Sequence, residues 1–242
     1  MGFHFFALLI SLFVSAQDNQ TYMEDCVKIS AAYAQKDNLS FNIDYKSFDT
    51  DLAHADTSFT GKFKFKKGKF YCKVGRSETY KNEKYYLAID HEQKMMMLNT
   101  ASSIPHTFLP VQLIDTFILR QKPSIKKVDL DAGKSRRYIL VFSDEAPTVY
   151  KTVTVDFDLQ TYLVKRVSIV LKDADNPYDE AKYLKQPVVE MIYKNYQQVE
   201  LADLEFSIAK YVTVVDAKHA SLKNEFDDYT LINSIAITQE IR

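Results

Sequence analysis

Residues 61–75, GKFKFKKGKFYCKVG, contain the pattern that decides the fold class. Phe63 and Phe65 alternate with lysines, and beyond Gly68 the alternation resumes with Phe70 and Cys72. A period of two is typical of a β-strand with one apolar and one polar face. Gly68 lies where a tight turn needs a residue that tolerates a positive φ. The stretch therefore predicts a β-hairpin whose lysines face water.

The charge balance of the chain argues against a nucleic-acid partner for this basic strip. The sequence has 31 Lys and Arg against 32 Asp and Glu, which gives a net charge of −1. A protein that binds nucleic acid or an anionic membrane through its overall field usually carries a clear excess of positive charge. We expect no nucleic-acid partner and at most a peripheral or transient contact with a membrane.

The first residues have the pattern of a secretory signal peptide. An apolar run from Phe5 to Val14 is followed by small residues and then by polar Gln17. The run is shorter than the roughly 20 residues that a membrane-spanning helix needs. We predict a signal peptide over residues 1–16, a single β-rich domain over residues 17–242, export across the inner membrane, and a periplasmic location.

Two segments have helical rather than strand periodicity. In TYMEDCVKISAAYAQ, residues 21–35, apolar positions follow steps of three and four residues: Met23, Cys26, Ile29 or Ser30, and Tyr33. After Pro110, which suits the first turn of a helix, apolar residues again recur at helical spacing. This second segment predicts a mid-chain lid helix with Val111, Ile114, Phe117 and Ile118 on its apolar face.

The remaining chain reads as alternating strands joined by short polar connections, which predicts a mostly β (α+β) fold with an antiparallel sheet of meander type. A strongly curved sheet of this kind can enclose a cavity that helices cover. Alternating apolar strand residues are the candidate lining. They are Phe63, Phe65, Phe70, Leu87, Ile89, Met95, Met97, Val153, Val155 and Phe157. The same pattern is compatible with an ordinary filled core.

The motifs of common catalytic and metal sites are missing from the sequence. Beyond residue 16 the glycines are Gly61, Gly68, Gly75 and Gly133, which cannot assemble a phosphate loop or a dinucleotide fingerprint. No G-x-S-x-G elbow is present. The run DADNPYDE starts like a calcium loop at residue 173 but lacks the required Gly and Glu. We expect no cofactor, no metal and no enzymatic activity.

Cys26 and Cys72 are the only cysteines. In an exported protein they can form a disulfide if their geometry permits, and otherwise they are two separate buried thiols.

Three stretches of the sequence resemble the LolA-type carriers of outer-membrane lipoproteins (the LolA/LolB/LppX-type fold). They are GKFKFKKGKFYCKV at 61–74, NEKYYLAIDHEQKMMML at 82–98, and VDFDLQTYLVKRVSIVLKD at 155–173 followed by VVEMIYKNYQQVELADLEF at 188–206. The resemblance implies a single curved antiparallel sheet that forms an incomplete barrel, covered by the N-terminal and mid-chain helices. It also implies an arginine that ties the lid helix, for which Arg76, Arg120, Arg136, Arg137 and Arg166 are candidates.

Two functional hypotheses follow. The leading one is an exported, non-enzymatic carrier or binding protein that holds a lipid or the acyl chain of a lipoprotein in the cavity of a half-barrel. The alternative is an envelope protein with a filled core that acts as a protein-interaction module, for which a tyrosine-rich surface is suited.

Overall fold

The computed structural model describes residues 19–33, 36, 38–49, 52–101, 120–172, 186–216 and 218–235. The predicted signal peptide and the predicted mid-chain helix, with Val111, Ile114, Phe117 and Ile118, lie outside these ranges. Within them, no helix is long and apolar enough to cross a membrane.

The described chain is mostly β, as predicted. Residues 19–33 form the α-helix α1. The strands are β1 (Asn38–Phe48), β2 (Thr57–Lys66), β3 (Lys69–Val74), β4 (Ser77–Lys81), β5 (Tyr85–Asp90), β6 (Met95–Thr100), β7 (Ser124–Leu130), β8 (Ser135–Val141), β9 (Tyr150–Asp158), β10 (Val164–Leu171), β11 (Val188–Gln197), β12 (Val212–Val214), β13 (Ala220–Leu222) and β14 (Thr230–Asn233). Twelve of these strands share one hydrogen-bonded sheet, and β12 pairs with β13 in a separate one.

The large sheet is mostly antiparallel, and the prediction of a single antiparallel sheet needs two corrections. β14 pairs in parallel with β6, and β12 with β13 makes a second sheet of two strands. Both departures come from residues after 210, where the strands are only three or four residues long and their periodicity is too short to read. The incomplete barrel implied by the resemblance stays a prediction.

The chain divides into two compact units. The first contains residues 1–35, 44–58 and 108–193, and the second contains residues 36–43, 59–107 and 194–242. Three of the unit boundaries, after residues 43, 58 and 193, fall within strands β1, β2 and β11, and the single domain stays a prediction.

In the first unit, strands β7 to β11 follow one another in the sheet and pair antiparallel. Tyr138 lies opposite Val155, and Val155 lies opposite Val167, so that these three side chains share one face. That face is buried, whereas the other carries charged pairs such as Arg137 with Asp156. The sheet therefore has one apolar face and one polar face, which is the usual pattern for an antiparallel sheet with one solvated side.

In the second unit, β2 to β6 pair antiparallel in sequence order. One face of this sheet is covered by the C-terminal segment. Its core cluster combines strand residues with residues from 208 onward: Tyr80, Leu87, Ile89, Met96, Leu98, Ile208, Tyr211, Val212 and Ile235. Leu87 and Ile89 thus belong to a packed core in the described part of the second unit.

The lysine face of the opening hairpin also belongs to this packed side. Lys64 forms an ion pair with Glu205, and the side chains of Lys66 and Lys69 lie 3.0 Å from the carboxylate of Asp203. The expectation that the lysines face water was therefore wrong for these three side chains. The alternation was read correctly, but the covering segment lies about 140 residues further along the chain, where strand periodicity gives no information about it.

Candidate ligand-binding site

Helix α1 lies on the apolar face of the first unit. Tyr22, Ile29 and Tyr33 are buried, at the spacing that places side chains on one side of a helix. The ring of Tyr22 meets that of Tyr138 edge to face, with centroids 4.9 Å apart. The hydroxyl of Tyr33 accepts a hydrogen bond from the backbone N–H of Val164 at 3.3 Å. The helix thus covers strands β8 to β10.

A buried carboxylate ties α1 to the sheet. Asp25, whose side chain is 2% exposed, accepts hydrogen bonds from Arg136 Nη1 at 2.7 Å and from the Tyr138 hydroxyl at 2.8 Å. Arg136 Nε donates to Asp129 at 2.7 Å. Burial works against the charge of Arg136, but the hydrogen bonds to Asp129 and Asp25 outweigh it and raise the pKa of the guanidinium.

Among the candidate arginines, Arg136 is the one whose described hydrogen bonds reach helix α1. An arginine that ties the mid-chain lid helix stays a prediction, because that helix lies outside the described residues. Arg137 and Arg166, by contrast, bind Asp156 and Glu190 on neighbouring strands of the sheet. The sequence offered no way to choose among the arginines, because the choice depends on which strand position faces the helix.

An open pocket of about 610 Å³ lies beside this helix. Its described lining comes from α1, from the segment before β7 and from β7 itself: Asn19, Tyr22, Met23, Arg120, Lys122, Pro123 and Ile125. Such a volume is within the range of about 300–1,000 Å³ typical of small-molecule sites. The apolar members of the lining can hold a hydrocarbon chain.

A second pocket, of about 630 Å³, lies in the second unit. Its described lining is mostly polar or charged. It contains the cations Lys210 and Lys223, the anion Glu225, and Leu222 as its apolar residue. It suits an apolar ligand less well than the pocket beside α1. No group of three or more metal-ligating side chains occurs in the described ranges.

The lining residues proposed from the sequence fall into three groups. Val153, Val155 and Phe157 are fully buried on the apolar sheet face of the first unit. None of these three is part of the described lining of the pocket beside α1.

In the second unit, the other seven residues divide between the two faces of the sheet. Directly opposed pairs place Phe63, Phe65, Phe70, Met95 and Met97 on one face. Leu87 and Ile89 are on the opposite face, in the core that the C-terminal segment covers. Phe65 packs 5.0 Å from Phe70 between ring centroids, as part of an aromatic cluster that also includes Phe41. The prediction from the sequence thus placed residues of two opposite sheet faces in one lining.

Both cysteines are free thiols and half-buried. Burial raises the pKa of Cys26 to about 12 and that of Cys72 to about 12. The thiolate is the form that attacks a disulfide, so neither group is activated at neutral pH. The disulfide that the cysteine count allowed is not formed in the structure.

Most residues that line the pocket were not proposed from the sequence. Met23 was placed on the buried helical face, but it is 46% exposed and faces the pocket region. Lys122 and Pro123 lie just before β7, where no periodicity marks a residue, and the positive φ of Lys122, 50°, is not revealed by the sequence. Arg120 is helical and was named from the sequence only as a candidate for tying the lid helix.

No protein-family model matches the sequence, and no curated protein matches it either. Among solved structures, the chain is similar to an uncharacterized conserved protein from Thermus thermophilus, at 8% identity and a TM-score of 0.45, over 77% of this chain and 92% of that chain. It is also similar to a LolA superfamily protein from Nitrosomonas europaea, at 10% identity and a TM-score of 0.33, over 72% and 91% of the two chains.

A third similar structure is the lipoprotein LppX of Mycobacterium tuberculosis, at 8% identity and a TM-score of 0.42, over 76% of this chain and 99% of that chain. The LolA superfamily and LppX, named above from sequence motifs, are thus among the structures to which the chain is similar. At these identities and TM-scores, function has to be argued from the residues of this chain.

Proposed function

We propose that the protein is an exported, non-enzymatic carrier or binding protein for a lipid or for the acyl chain of a lipoprotein, and that it acts in the periplasm. The observation that carries the proposal is the pocket of about 610 Å³ beside α1, with Tyr22, Met23, Pro123 and Ile125 in its lining. Each methylene that leaves water for such a surface contributes about 0.8 kcal/mol to binding.

The periplasmic location rests on the signal-peptide pattern of residues 1–16. A lipid is the ligand class that needs such an apolar site in this compartment, because its chain has to be kept from water between membranes. Helix α1 supports the pocket, since it is fixed to the sheet through Asp25, Arg136 and Tyr138 while Met23 stays exposed.

Native mass spectrometry with a neutral lipid tests this proposal. Delipidated mature protein incubated with 1-monooleoylglycerol is expected to gain the mass of one lipid. Met23→Asp, which places a charge in the pocket lining, should reduce the bound fraction severalfold. Val27→Asp is the matched control, because Val27 is 67% exposed on the same helix and is not part of the described lining. A wild-type protein that stays at its apo mass with this lipid and also with a fatty acid would contradict the carrier function.

A second candidate function, a protein-interaction module, is favoured by one apolar surface in the second unit. Met95, Met97 and Ile232 are about 40% exposed, and Ile232 lies directly opposite Met97 on the adjacent strand. Capture of a single stoichiometric envelope protein that Met97→Lys abolishes, together with no lipid uptake, would favour this function over the carrier.

A further inference from the structure

The pocket beside α1 combines an apolar wall with two positive charges. Arg120 and Lys122 are exposed members of a lining whose other side chains are neutral. The described part of the lining contains no Asp or Glu.

The backbone at Lys122 has an unusual conformation. Its φ is 50°, a left-handed value that only a few per cent of residues other than glycine adopt. Glycine adopts this conformation without a steric penalty, whereas a lysine is strained by its Cβ. Pro123 follows directly and restricts the chain further. Lys67 and Lys94 have the same conformation, with φ of 46° and 50°, so it identifies Lys122 as a strained position and does not by itself assign a role to its side chain.

Resting on the carrier function proposed above, we propose that the ligand is a single-chain anionic amphiphile. Its hydrocarbon chain lies against Tyr22, Met23 and Ile125, and its carboxylate or phosphate pairs with Arg120 and Lys122. Guanidinium and ammonium groups are donors only, so they match a head group that only accepts hydrogen bonds. Charge-assisted hydrogen bonds to such groups are about twice as strong as neutral ones.

Three ligands with the same chain length separate the contribution of the head group to the affinity from that of the hydrocarbon chain. Dodecanoate, dodecyl phosphate and dodecanol are titrated into the mature protein by calorimetry, each below its aggregation concentration. The two anions should bind roughly 3- to 30-fold more tightly than the alcohol at low salt, the range expected for one or two exposed ion pairs. The preference should shrink at 1 M salt, because screening is then strong. The tighter of the two anions identifies the carboxylate or the phosphate as the natural head group.

Charge-removing variants test the two residues directly. The double variant Arg120→Gln, Lys122→Gln should lose the preference for the anions and keep its affinity for dodecanol. The matched control is Lys126→Gln, an exposed lysine of the same strand region that is not part of the described lining. It should bind all three ligands as the wild type does.

Lys122→Gly adds a second readout, thermal stability, beside the change in binding that follows from the loss of the charge. It should raise the Tm by roughly 1–4 °C, because glycine relieves the strained φ, while it weakens binding of dodecanoate.

Equal wild-type affinity for the alcohol and the anions, or unchanged anion binding in the double variant, would overturn the inference and leave the carrier function standing. Failure of the wild type to bind any of the three ligands would instead overturn the carrier function.

Discussion

At the scale of single residues, the buried carboxylate of Asp25 is the main polar link between α1 and the sheet of the first unit. It accepts hydrogen bonds from two side chains on β8, so its removal would leave the buried hydroxyl of Tyr138 without this partner and the partly buried guanidinium of Arg136 with Asp129 alone. Burying such groups without hydrogen bonds is strongly unfavourable. Asp25 is therefore expected to contribute more to the stability of the fold than an exposed aspartate in an ion pair does.

Asp129 allows a matched comparison, because it binds the same guanidinium from a position where its side chain is 48% exposed. Asp25→Ala should lower the free energy of unfolding by about 3 kcal/mol, as expected when a buried pair loses one partner. Asp129→Ala should lower it by about 0–1 kcal/mol, as for exposed pairs. Urea denaturation followed by circular dichroism measures both. Equal effects of the two substitutions would mean that Asp25 does not anchor the helix.

A second buried carboxylate, Glu78, stabilises the second unit. It accepts hydrogen bonds from the hydroxyls of Tyr80 at 2.6 Å and Tyr211 at 3.0 Å, and from Lys73 Nζ at 3.1 Å. His91 Nε2 lies 3.5 Å from the same carboxylate. Burial raises the pKa of Glu78, but the hydrogen bonds from Tyr80, Lys73 and Tyr211 outweigh it, so the pKa is lowered overall.

This lowered pKa predicts a pH dependence of stability. The pKa of an unfolded glutamate is about 4.3. The stabilisation is therefore complete above that pH and is lost as pH falls through the lower pKa of the folded state. Glu78→Gln should be less stable than the wild type by about 1–3 kcal/mol at pH 7. The gap should close towards pH 3. Urea denaturation across this range tests the prediction, and a gap that stays constant with pH would refute it.

At the scale of elements, the β5–β6 hairpin shows how register decides which side chains are buried. The turn between the strands places Met96 opposite Ile89 and Met97 opposite Ala88. Met96 is fully buried, whereas Met97 is 39% exposed. A shift of one residue in the turn would exchange the two faces, and the run of three methionines gives no pattern that fixes the register. The sequence therefore predicted the hairpin but placed Met95 and Met97 with Leu87 and Ile89.

Two neighbouring methionines provide the test of this register. Met96→Ala should reduce the free energy of unfolding by about 2–5 kcal/mol, because it leaves a cavity in the packed core of the second unit. Met97→Ala should change it by less than about 1 kcal/mol, because its side chain is partly in water. Thermal denaturation of both variants is sufficient. A larger effect at Met97 than at Met96 would show that the hairpin has the other register.

Local periodicity explains how far the sequence alone could lead. Alternation in residues 61–75 and the three- and four-residue steps in residues 21–35 predicted β2, β3 and α1, because each pattern is complete within one element. The covering of the lysine face by residues 201–206 and the approach of Arg136 to Asp25 join segments more than a hundred residues apart. Such contacts depend on the tertiary fold and leave no local signal.

At the scale of the whole molecule, the apolar sheet faces of the two units are covered by different segments. In the second unit, the face that carries Leu87 is filled by residues from the C-terminal segment. In the first unit, α1 covers the apolar face and a pocket of about 610 Å³ remains beside it. The carrier function proposed above requires an open, partly apolar site on a stable scaffold, and the pocket beside α1 supports that proposal.

Photo-crosslinking with a palmitic acid analogue that carries a diazirine near the end of its chain tests the central claim most directly. After irradiation of the complex with mature protein, peptide mapping should find the label in residues 19–23 and 120–125, and excess unlabelled palmitate should suppress it. Label confined to residues 95–97, or label that palmitate does not suppress, would contradict the assignment of the pocket beside α1 as the site of the acyl chain.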